Sequence, residues 1–394
     1  MTVSLAEVRA SLLATVPAAA ADPASIRLVR SPGRINLIGE HTDYNEGFVL
    51  PMAIDREIVI GLVPSDDRRV EITRLDTAEV ARIDLDADQP RAGTWVDYVA
   101  GMAAVLARRG VPMSGLRGVI ASSLPIEVGL SSSAAIETAA AWALAGGDEP
   151  PLAPMELARA GQEVEHEFIG VNSGLMDQLA VILGTRDAAL LIDCRSLEHR
   201  PVRLPLGRHA VVAVDSGSAR RLGSSAYNQR RAECEAVVSA VAARVPGVRA
   251  LRDVDLEMLD DVRGAVSRAA HARAQHVIRE NERVLACVEA LEREDLATVG
   301  DLLAASHASL RDLFEVSSPA LDALVEIASS TPGVVGARMT GAGFGRSIVA
   351  IAQRDAVSAL RQAIADEYPT GTGQRATVHV VEPADGAGAI DGSA

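Results

Sequence analysis

The 394-residue chain has 53 acidic and 38 basic residues, and its net charge of −15 at pH 7 excludes functions that need a basic surface, such as nucleic-acid binding. No apolar run is long enough to span a bilayer, which argues against a membrane protein. The length and the 48% of hydrophobic residues are sufficient for two domains, each with its own core.

The cysteine and lysine content indicates the cellular compartment and excludes several kinds of phosphate binding and catalysis. The three cysteines, Cys194, Cys234 and Cys287, are widely spaced without a CxxC pair, so we expect reduced thiols in a cytoplasmic protein. The N-terminal residues do not resemble a signal peptide. The chain has no lysine, which excludes a Walker A loop, the protein-kinase strand lysine and Schiff-base catalysis. Backbone dipoles, arginine or a metal ion must neutralise any bound phosphate.

The N-terminal region is predicted to begin with a helix at residues 5–18. A strand follows at 26–30, and the residues Ser31-Pro32-Gly33 after it are typical of a turn. We therefore expect the first strand to end before Ser31.

A dense polar segment follows at residues 34–45, beside a long β-rich run at 49–63. Polar groups at this density are typical of a loop that lines a cleft. Glu40, His41 and Asp43 offer two carboxylates and an imidazole, a set suited to gripping adjacent hydroxyls of a sugar. The alternative is a solvated polar loop.

A serine-rich loop at residues 129–133 lies between a predicted strand at 116–121 and an alanine-rich helix. We expect a serine to cap this helix. A glycine bend before a helix N-terminus favours phosphate, because unpaired N–H groups and the helix dipole attract an anion. The alternative is an ordinary capped helix.

Acidic residues in the middle of the chain are candidates for chemistry. A helix is predicted at residues 155–169, with Glu163, Glu165 and Glu167 in its C-terminal half, where the helix dipole does not stabilise a carboxylate. A metal or another cation would explain one of them. Asp177 lies among apolar residues, so it is either a helix N-cap or a working group.

The remaining elements alternate between strands and helices, and we expect a disordered tail from Pro383. A glycine-rich turn at 341–345 joins two strands, as in a simple hairpin. Strands are predicted within 69–85 and at 188–193, 210–215, 334–340, 347–351 and 376–381, and helices at 95–109, 227–243, 265–291, 296–314, 319–329 and 356–365.

Three motifs resemble, in this order, the three signatures of the GHMP small-molecule kinases. They read SPGRINLIGEHTDYNEGFVLPMAID, GLSSSAA and RMTGAGFG, and the EHTDYN core of the first resembles the galactokinases in particular. Further similarity in GLMDQLA, LLIDCRSL, SSAYNQRRAEC, ALRDV and HVIREN extends the resemblance over nearly the whole chain.

The resemblance implies an α/β (α+β) protein with the two-domain GHMP kinase fold and an active site between the domains. The N-terminal sugar- and ATP-binding domain, residues 1–205, would resemble ribosomal S5 domain 2. The C-terminal domain, residues 206–394, would be ferredoxin-like, with 383–394 as the disordered tail. Whether the last strand returns to the first domain stays open.

The resemblance also implies a role for each matching residue. Asp177 corresponds to the aspartate that takes the proton from the sugar C1 hydroxyl. Arg34 corresponds to the arginine that keeps this carboxylate ionised and stabilises the transferring phosphoryl group. Ser133 and Glu165 correspond to Mg²⁺ ligands, and oxygen donors suit this ion. The implied sugar contacts are Glu40, His41, Thr42, Asp43, Gly174 and Tyr227, and the implied ATP phosphate loop is Glu127, Val128, Gly129, Leu130, Ser131, Ser132 and Ser133.

Two positions depart from the family pattern. Glu127 stands where the serine loop usually has its first glycine, and Arg346 replaces the last glycine of the third motif. A carboxylate near a triphosphate repels it. We therefore hypothesise that the two side chains pair within roughly 6 Å, the reach of direct charge pairing. The alternative is that both point into solvent.

We expect ATP- and Mg²⁺-dependent phosphorylation of the C1 hydroxyl of D-galactose by a cytoplasmic enzyme, working as a monomer without nucleic-acid or membrane partners. The alternatives are a related sugar 1-kinase acting on galacturonate, arabinose or N-acetylgalactosamine, and a catalytically silent galactose sensor. Glu40 and His41 near C6 favour a neutral CH₂OH, because Glu40 would repel a sugar acid. The presence of both Arg34 and Asp177 favours turnover over sensing.

Overall fold

The computed structural model describes residues 3–87, 89–124, 129–218 and 224–390. Most strands belong to two large sheets, one built mainly from the first half of the chain and one from the second. The elements of the first half are α1 (Leu5–Thr15), α2 (Pro17–Ala21), β1 (Arg27–Asn36), β2 (Phe48–Val49), β3 (Pro51–Ser65), β4 (Arg69–Arg74), β5 (Val80–Asp84), α3 (Val96–Arg108), β6 (Gly115–Ser122), α4 (Ser132–Leu144), α5 (Pro154–Val164), α6 (Met176–Leu183), β7 (Ala188–Asp193) and β8 (His199–Arg203).

None of the described helices has both the length and the apolar character needed to cross a membrane.

The second half of the chain begins with β9 (His209–Asp215), one of the two inner strands of the second sheet. The elements after it are α7 (Ser224–Ala242), α8 (Leu256–Asp261), α9 (Arg268–Glu292), α10 (Leu296–Ser309), α11 (Pro319–Ser330), β10 (Val334–Thr340), β11 (Ser347–Gln353), α12 (Val357–Thr372), β12 (Thr377–Val381) and β13 (Gly388–Ile390).

Within the described residues, the larger sheet has six strands in the order β13-β1-β3-β6-β4-β5; β4 and β6 pair in parallel, and the other neighbours pair antiparallel. The second sheet is antiparallel, in the order β10-β11-β9-β12, and β2, β7 and β8 form a small third sheet.

Alternate side chains of β3 contact different layers, as the period of a strand requires. Val59 and Val63 join a cluster that includes residues of α1. Ile58, Ile60 and Leu62 belong to the main core, with residues of α3 and α4. The six-stranded sheet is therefore covered on both faces here, which explains why β3 is continuously apolar from Ile58 to Val63.

The prediction that the first strand ends before Ser31 was wrong, because β1 continues to Asn36. The residues Ser31-Pro32-Gly33 lie inside β1, which pairs with β3 and shifts its register between Pro32 and Gly33. A bulge accommodates the missing proline N–H without ending the strand. Gly33 is required because an added Cβ would lie 2.6 Å from the carbonyl oxygen of Leu130. The strand therefore continues to the polar segment of the first motif.

The tail predicted to be disordered from Pro383 is ordered as far as Ile390. Pro383 forms a bridge with Ile54, and β13 pairs with β1 in the six-stranded sheet. The Ala384 N–H also donates to the carbonyl of Ala53 at 3.0 Å. Amino-acid composition could not predict that the segment after Pro383 is ordered, because backbone hydrogen bonds rather than large apolar side chains hold it in place. The strand before it, β12, stays in the second sheet, and only β13 returns to the first.

Candidate active site

Arg34 and Asp177 meet although 143 residues separate them in the chain. Arg34 lies near the end of β1, and Asp177 lies in the first turn of α6, where it is not the N-cap. Arg34 Nε donates to Asp177 Oδ1 at 2.8 Å, and Nη2 donates to Oδ2 at 2.7 Å. Nη1 donates to the carbonyl oxygen of Gly129 at 2.8 Å. The arginine thus joins the predicted catalytic acid to the predicted phosphate loop.

Ser131 occupies the N-cap position of α4 but does not cap the helix, so the expectation of a serine cap was wrong. Its φ of 56° is left-handed, and its Oγ donates to Asp177 Oδ2 at 2.5 Å. The hydroxyl is therefore directed at the Asp177 carboxylate and not at the N–H groups in the first turn of α4. The first N–H groups of the helix have no intrahelical partner and favour an external anion.

Two cavities meet at Ser132 and Ser133, which line both of them. The larger cavity, of about 720 Å³, has aromatic walls that include Trp95 and Phe168. The smaller, of about 260 Å³, contains most of the predicted site residues. These are Arg34, Glu40, His41, Asp43, Gly129, Ser131, Ser132, Ser133, Glu165, Gly174, Asp177 and Tyr227.

Glu40 is held from behind by an ion pair with Arg338 of β10, and both side chains are buried. Its Oε1 also accepts from the Gly341 N–H at 2.9 Å and from Thr340 Oγ1 at 3.2 Å. Burial raises the pKa of Glu40, and the Arg338 guanidinium opposes this shift. The carboxylate therefore lines the cavity in one fixed orientation.

His41 forms part of an aromatic wall of the same cavity. Its ring stacks on Phe314 with centroids 4.5 Å apart, and its Nδ1 lies 2.9 Å from the Tyr44 hydroxyl. Burial lowers the pKa of His41 to about 3, so the imidazole is neutral at physiological pH. Tyr227 lies beside it, with ring centroids 5.6 Å apart. A neutral imidazole next to hydroxyl groups suits an uncharged polar ligand.

Asp43 packs directly against Gly174 in the wall of the smaller cavity. An added Cβ at Gly174 would lie 1.9 Å from Asp43 Oδ2, so only glycine fits there. Burial and the nearby charge of Asp177 raise the pKa of Asp43 to about 7. Asp43 therefore changes its protonation state, and with it its capacity to accept hydrogen bonds, near neutral pH.

Ser133 and Glu165 are close enough to share a hydrogen bond, and Glu165 also accepts from Ser173 Oγ. Among the described residues no group of three or more His, Cys, Asp and Glu side chains is placed to hold a metal. A hydroxyl and a carboxylate nevertheless fit Mg²⁺, which keeps several water molecules and takes further oxygens from phosphates. Burial raises the pKa of Glu165, and the nearby charge of Asp177 adds to this rise.

Comparisons with known proteins identify the family. The galactokinase galactose-binding signature matches residues 19–64, and the models of the GHMP kinase N-terminal and C-terminal domains match 97–185 and 287–370. The chain is 44% identical over 363 residues to the galactokinase of Roseiflexus sp. (strain RS-1), covering 92% of this chain and 93% of that protein. The chain belongs to the galactokinase family.

Solved structures agree with membership of the galactokinase family. The galactokinase of Lactococcus lactis, determined in complex with galactose, is 33% identical with a TM-score of 0.91, covering 97% of this chain and 99% of that chain. The mevalonate kinase of Methanococcus jannaschii, at 19% identity, a TM-score of 0.64 and coverage of 91% and 98%, shares the fold. The prediction of a two-domain GHMP kinase fold is confirmed.

Two residues predicted to contact ligands in this galactokinase-family site do not line either cavity. The Thr42 hydroxyl donates to the carbonyl oxygens of Gly39 at 2.8 Å and Phe48 at 2.6 Å, so it holds the loop in shape instead. Leu130 is buried, and its carbonyl accepts from the Arg34 N–H at 3.1 Å. Glu127 and Val128 lie outside the described residues, as does the proposed pairing of Glu127 with Arg346.

Sequence reasoning missed two buried groups behind the site. Arg338 is part of the third motif, but nothing local indicated that its partner is Glu40. Glu137 is fully buried behind Glu165, with its Oε2 accepting from Gln178 Nε2 at 3.3 Å. Burial raises its pKa well above the usual value. The one available signal was an acid inside an alanine-rich helix, four residues after Ser133.

Proposed function

We propose that Asp177 accepts the proton of the galactose C1 hydroxyl as its oxygen attacks the γ-phosphorus of ATP. This would carry out the reaction of the galactokinase family, the ATP-dependent phosphorylation of galactose. A bond forms between O1 and the γ-phosphorus, the bond to the β–γ bridging oxygen breaks, and ADP leaves with that electron pair.

The observation that carries this proposal is the Arg34–Asp177 pair beside the junction of the two cavities. The Asp177 side chain is 25% exposed, whereas that of Arg34 is only 5% exposed. The acid is thus open to a substrate, and the arginine orients it from behind. Ser131 donates to the same carboxylate and restricts its rotation.

Galactose would occupy the smaller cavity, with its hydroxyl groups facing Glu40, His41, Asp43 and Tyr227. Glu40 accepts hydrogen bonds in a fixed direction because Arg338 holds it. A sugar acid with its carboxylate facing Glu40 would be repelled, which favours galactose over galacturonate.

ATP would place its phosphates at the N-terminus of α4 and its base in the larger cavity. Backbone N–H groups and the helix dipole stabilise phosphate there. Ser133 and Glu165 would hold Mg²⁺, which supplies positive charge to the phosphates. This arrangement needs no lysine, in agreement with the composition of the chain.

We further propose that the enzyme works as a monomer in the cytoplasm. The three cysteines are unpaired, and Cys234 and Cys287 are buried. Reduced thiols of this kind are typical of a reducing compartment. Light scattering of the purified protein would test the monomeric state.

A panel of free monosaccharides tests the substrate. ADP release would be measured with ATP and Mg²⁺ for galactose, galacturonate, arabinose and N-acetylgalactosamine. We expect the highest kcat/KM for galactose. A higher value for another sugar would reassign the substrate, and binding of galactose without ADP release would indicate a sensor.

The variant Asp177→Asn tests whether Asp177 acts as the general base. We expect kcat to fall by about 10²–10⁴-fold, the usual contribution of a general base, while calorimetry still detects galactose binding. Asp66→Asn, at an exposed position outside both cavities, is the matched control. A kcat near that of the unmodified enzyme would remove Asp177 from the role of base.

A further inference from the structure

The smaller cavity has more acidic than basic groups on its walls. Its carboxylates and guanidinium groups are Glu40, Asp43, Glu165, Asp177, Arg34 and Arg346. The imidazole in this wall is neutral. A nucleoside triphosphate that binds in this acidic cavity needs a cation near its phosphates, in addition to the backbone dipoles of the serine loop.

Arg34 already makes hydrogen bonds with each of its three guanidinium nitrogens. Two of them donate to the Asp177 carboxylate, and Nη1 donates to the carbonyl oxygen of Gly129. Its charge is balanced locally by the acid that it orients. The structure therefore uses this arginine chiefly to organise the base and the loop.

Arg346 is a second arginine beside the same loop, and it lines the same cavity. It ends the glycine-rich turn just before β11, and its carbonyl oxygen accepts from the Ser216 N–H at 2.9 Å, which fixes the backbone. Gly129 has a left-handed φ of 84°, and a Cβ added there would lie 3.4 Å from Arg346 Cδ and 3.5 Å from its Cβ. The aliphatic stem of this half-buried arginine thus packs beside the bend of the phosphate loop.

We propose that the Arg346 guanidinium binds the phosphates of the nucleotide. The inference rests on the proposed function, in which ATP phosphates lie at residues 129–133. A planar guanidinium matches pairs of phosphate oxygens and keeps its charge at all working pH values. In a chain without lysine, Arg346 takes the part of a phosphate-binding cation.

Steady-state kinetics and calorimetry of Arg346→Gln test this role. We expect the KM for ATP and the Kd for ATP to rise about tenfold or more, the effect of losing ~1.4 kcal/mol of binding. The KM for galactose and the affinity for adenosine, which has no phosphate, should stay unchanged. Arg346→Lys should restore part of the ATP affinity, because it restores the charge but not the planar fork.

Arg354→Gln is the matched control, because Arg354 follows β11 at its other end and pairs with Glu382 on the surface. It should leave the KM for ATP unchanged. An unchanged or lower KM for ATP in Arg346→Gln would overturn the proposal. So would an equal loss of affinity for adenosine, because that would show general damage to the nucleotide site.

Measuring the effect of Arg346→Gln in a Glu127→Gln variant distinguishes phosphate binding by Arg346 from neutralisation of the Glu127 charge. If Arg346 serves only to balance that carboxylate, the effect of Arg346→Gln will vanish in Glu127→Gln, and the proposal is overturned. If Arg346 binds phosphate, the increase in the KM for ATP will persist there. Failure of the unmodified enzyme to phosphorylate any sugar would instead count against the proposed function itself.

Discussion

Arg338 and Glu40 form an ion pair between the second sheet and the polar segment of the first motif, with side-chain exposures of 0% and 1%. Arg338 Nη1 also donates to the carbonyl of Leu37 at 2.9 Å. From α9, Glu280 accepts from the Gly39 N–H at 3.1 Å. The C-terminal half of the chain therefore holds the segment that presents Glu40 to the smaller cavity.

Removing the cation of this pair should destabilise the protein strongly. Arg338→Met leaves Glu40 buried without its partner, and we expect the free energy of unfolding to fall by ~3–5 kcal/mol. Urea unfolding at pH 7 measures the change. Arg354→Met, which breaks an exposed pair, should cost less than ~1 kcal/mol. Equal losses in the two variants would contradict the assignment of a buried pair, and adding Glu40→Gln to Arg338→Met should recover part of the loss.

Galactose binding should weaken as the pH falls through neutrality. The pKa of Asp43 is raised to about 7, and protonation removes a carboxylate acceptor that we assign to the sugar hydroxyls. For one group with this pKa, the KM for galactose should rise about tenfold between pH 8 and pH 6. Asp43→Asn should bind more weakly but without this dependence. A KM that is independent of pH in the unmodified enzyme would contradict the role of Asp43.

Gly174→Ala should block the sugar site without unfolding the protein. The new Cβ would meet Asp43 Oδ2 at 1.9 Å and must displace that carboxylate. We expect kcat/KM for galactose to fall about 100-fold or more, since a 1 Å displacement at a site can cost this much. Gly264→Ala is the control, because an added Cβ there has no atom within 4 Å. Full activity in Gly174→Ala would show that Asp43 does not need its observed position.

Glu137→Gln should stabilise the protein at alkaline pH. The pKa of Glu137 is raised well above the usual value, so the folded state retains a proton that the unfolded state loses. Stability therefore decreases as the pH rises from about 4.5, the unfolded pKa, towards the folded one. Glutamine keeps the shape without the charge and removes this dependence.

Thermal unfolding of both proteins at pH 5 and pH 8 measures the effect of Glu137→Gln. The Tm advantage of the variant should grow with pH, by about 2–4 °C for each kcal/mol gained. An advantage that shrinks between pH 5 and pH 8 would show that Glu137 is ionised in the folded enzyme. Activity near that of the unmodified enzyme is expected, because Glu137 lines neither cavity.

Where the determining signal is local, the sequence predicted the helices and strands and most of the residues that line the smaller cavity. The serine loop before an alanine-rich helix and the polar segment at 34–45 each carry their chemistry within about a dozen positions. Apolar periodicity likewise indicated most helices and strands. Local signals misled where tertiary contacts outweighed them, as at Ser131, whose hydroxyl bonds Asp177 instead of capping its helix.

The sequence by itself determined the residue types, the order of the motifs and hence the family, because these are written in contiguous stretches. Only the tertiary structure decided which charges meet: Arg34 with Asp177 across 143 residues, and Arg338 with Glu40 across 298. It also decided that β13 completes the first sheet. The physical reason is that propensity acts over a few neighbouring residues, whereas ion pairing and strand addition depend on packing between distant segments.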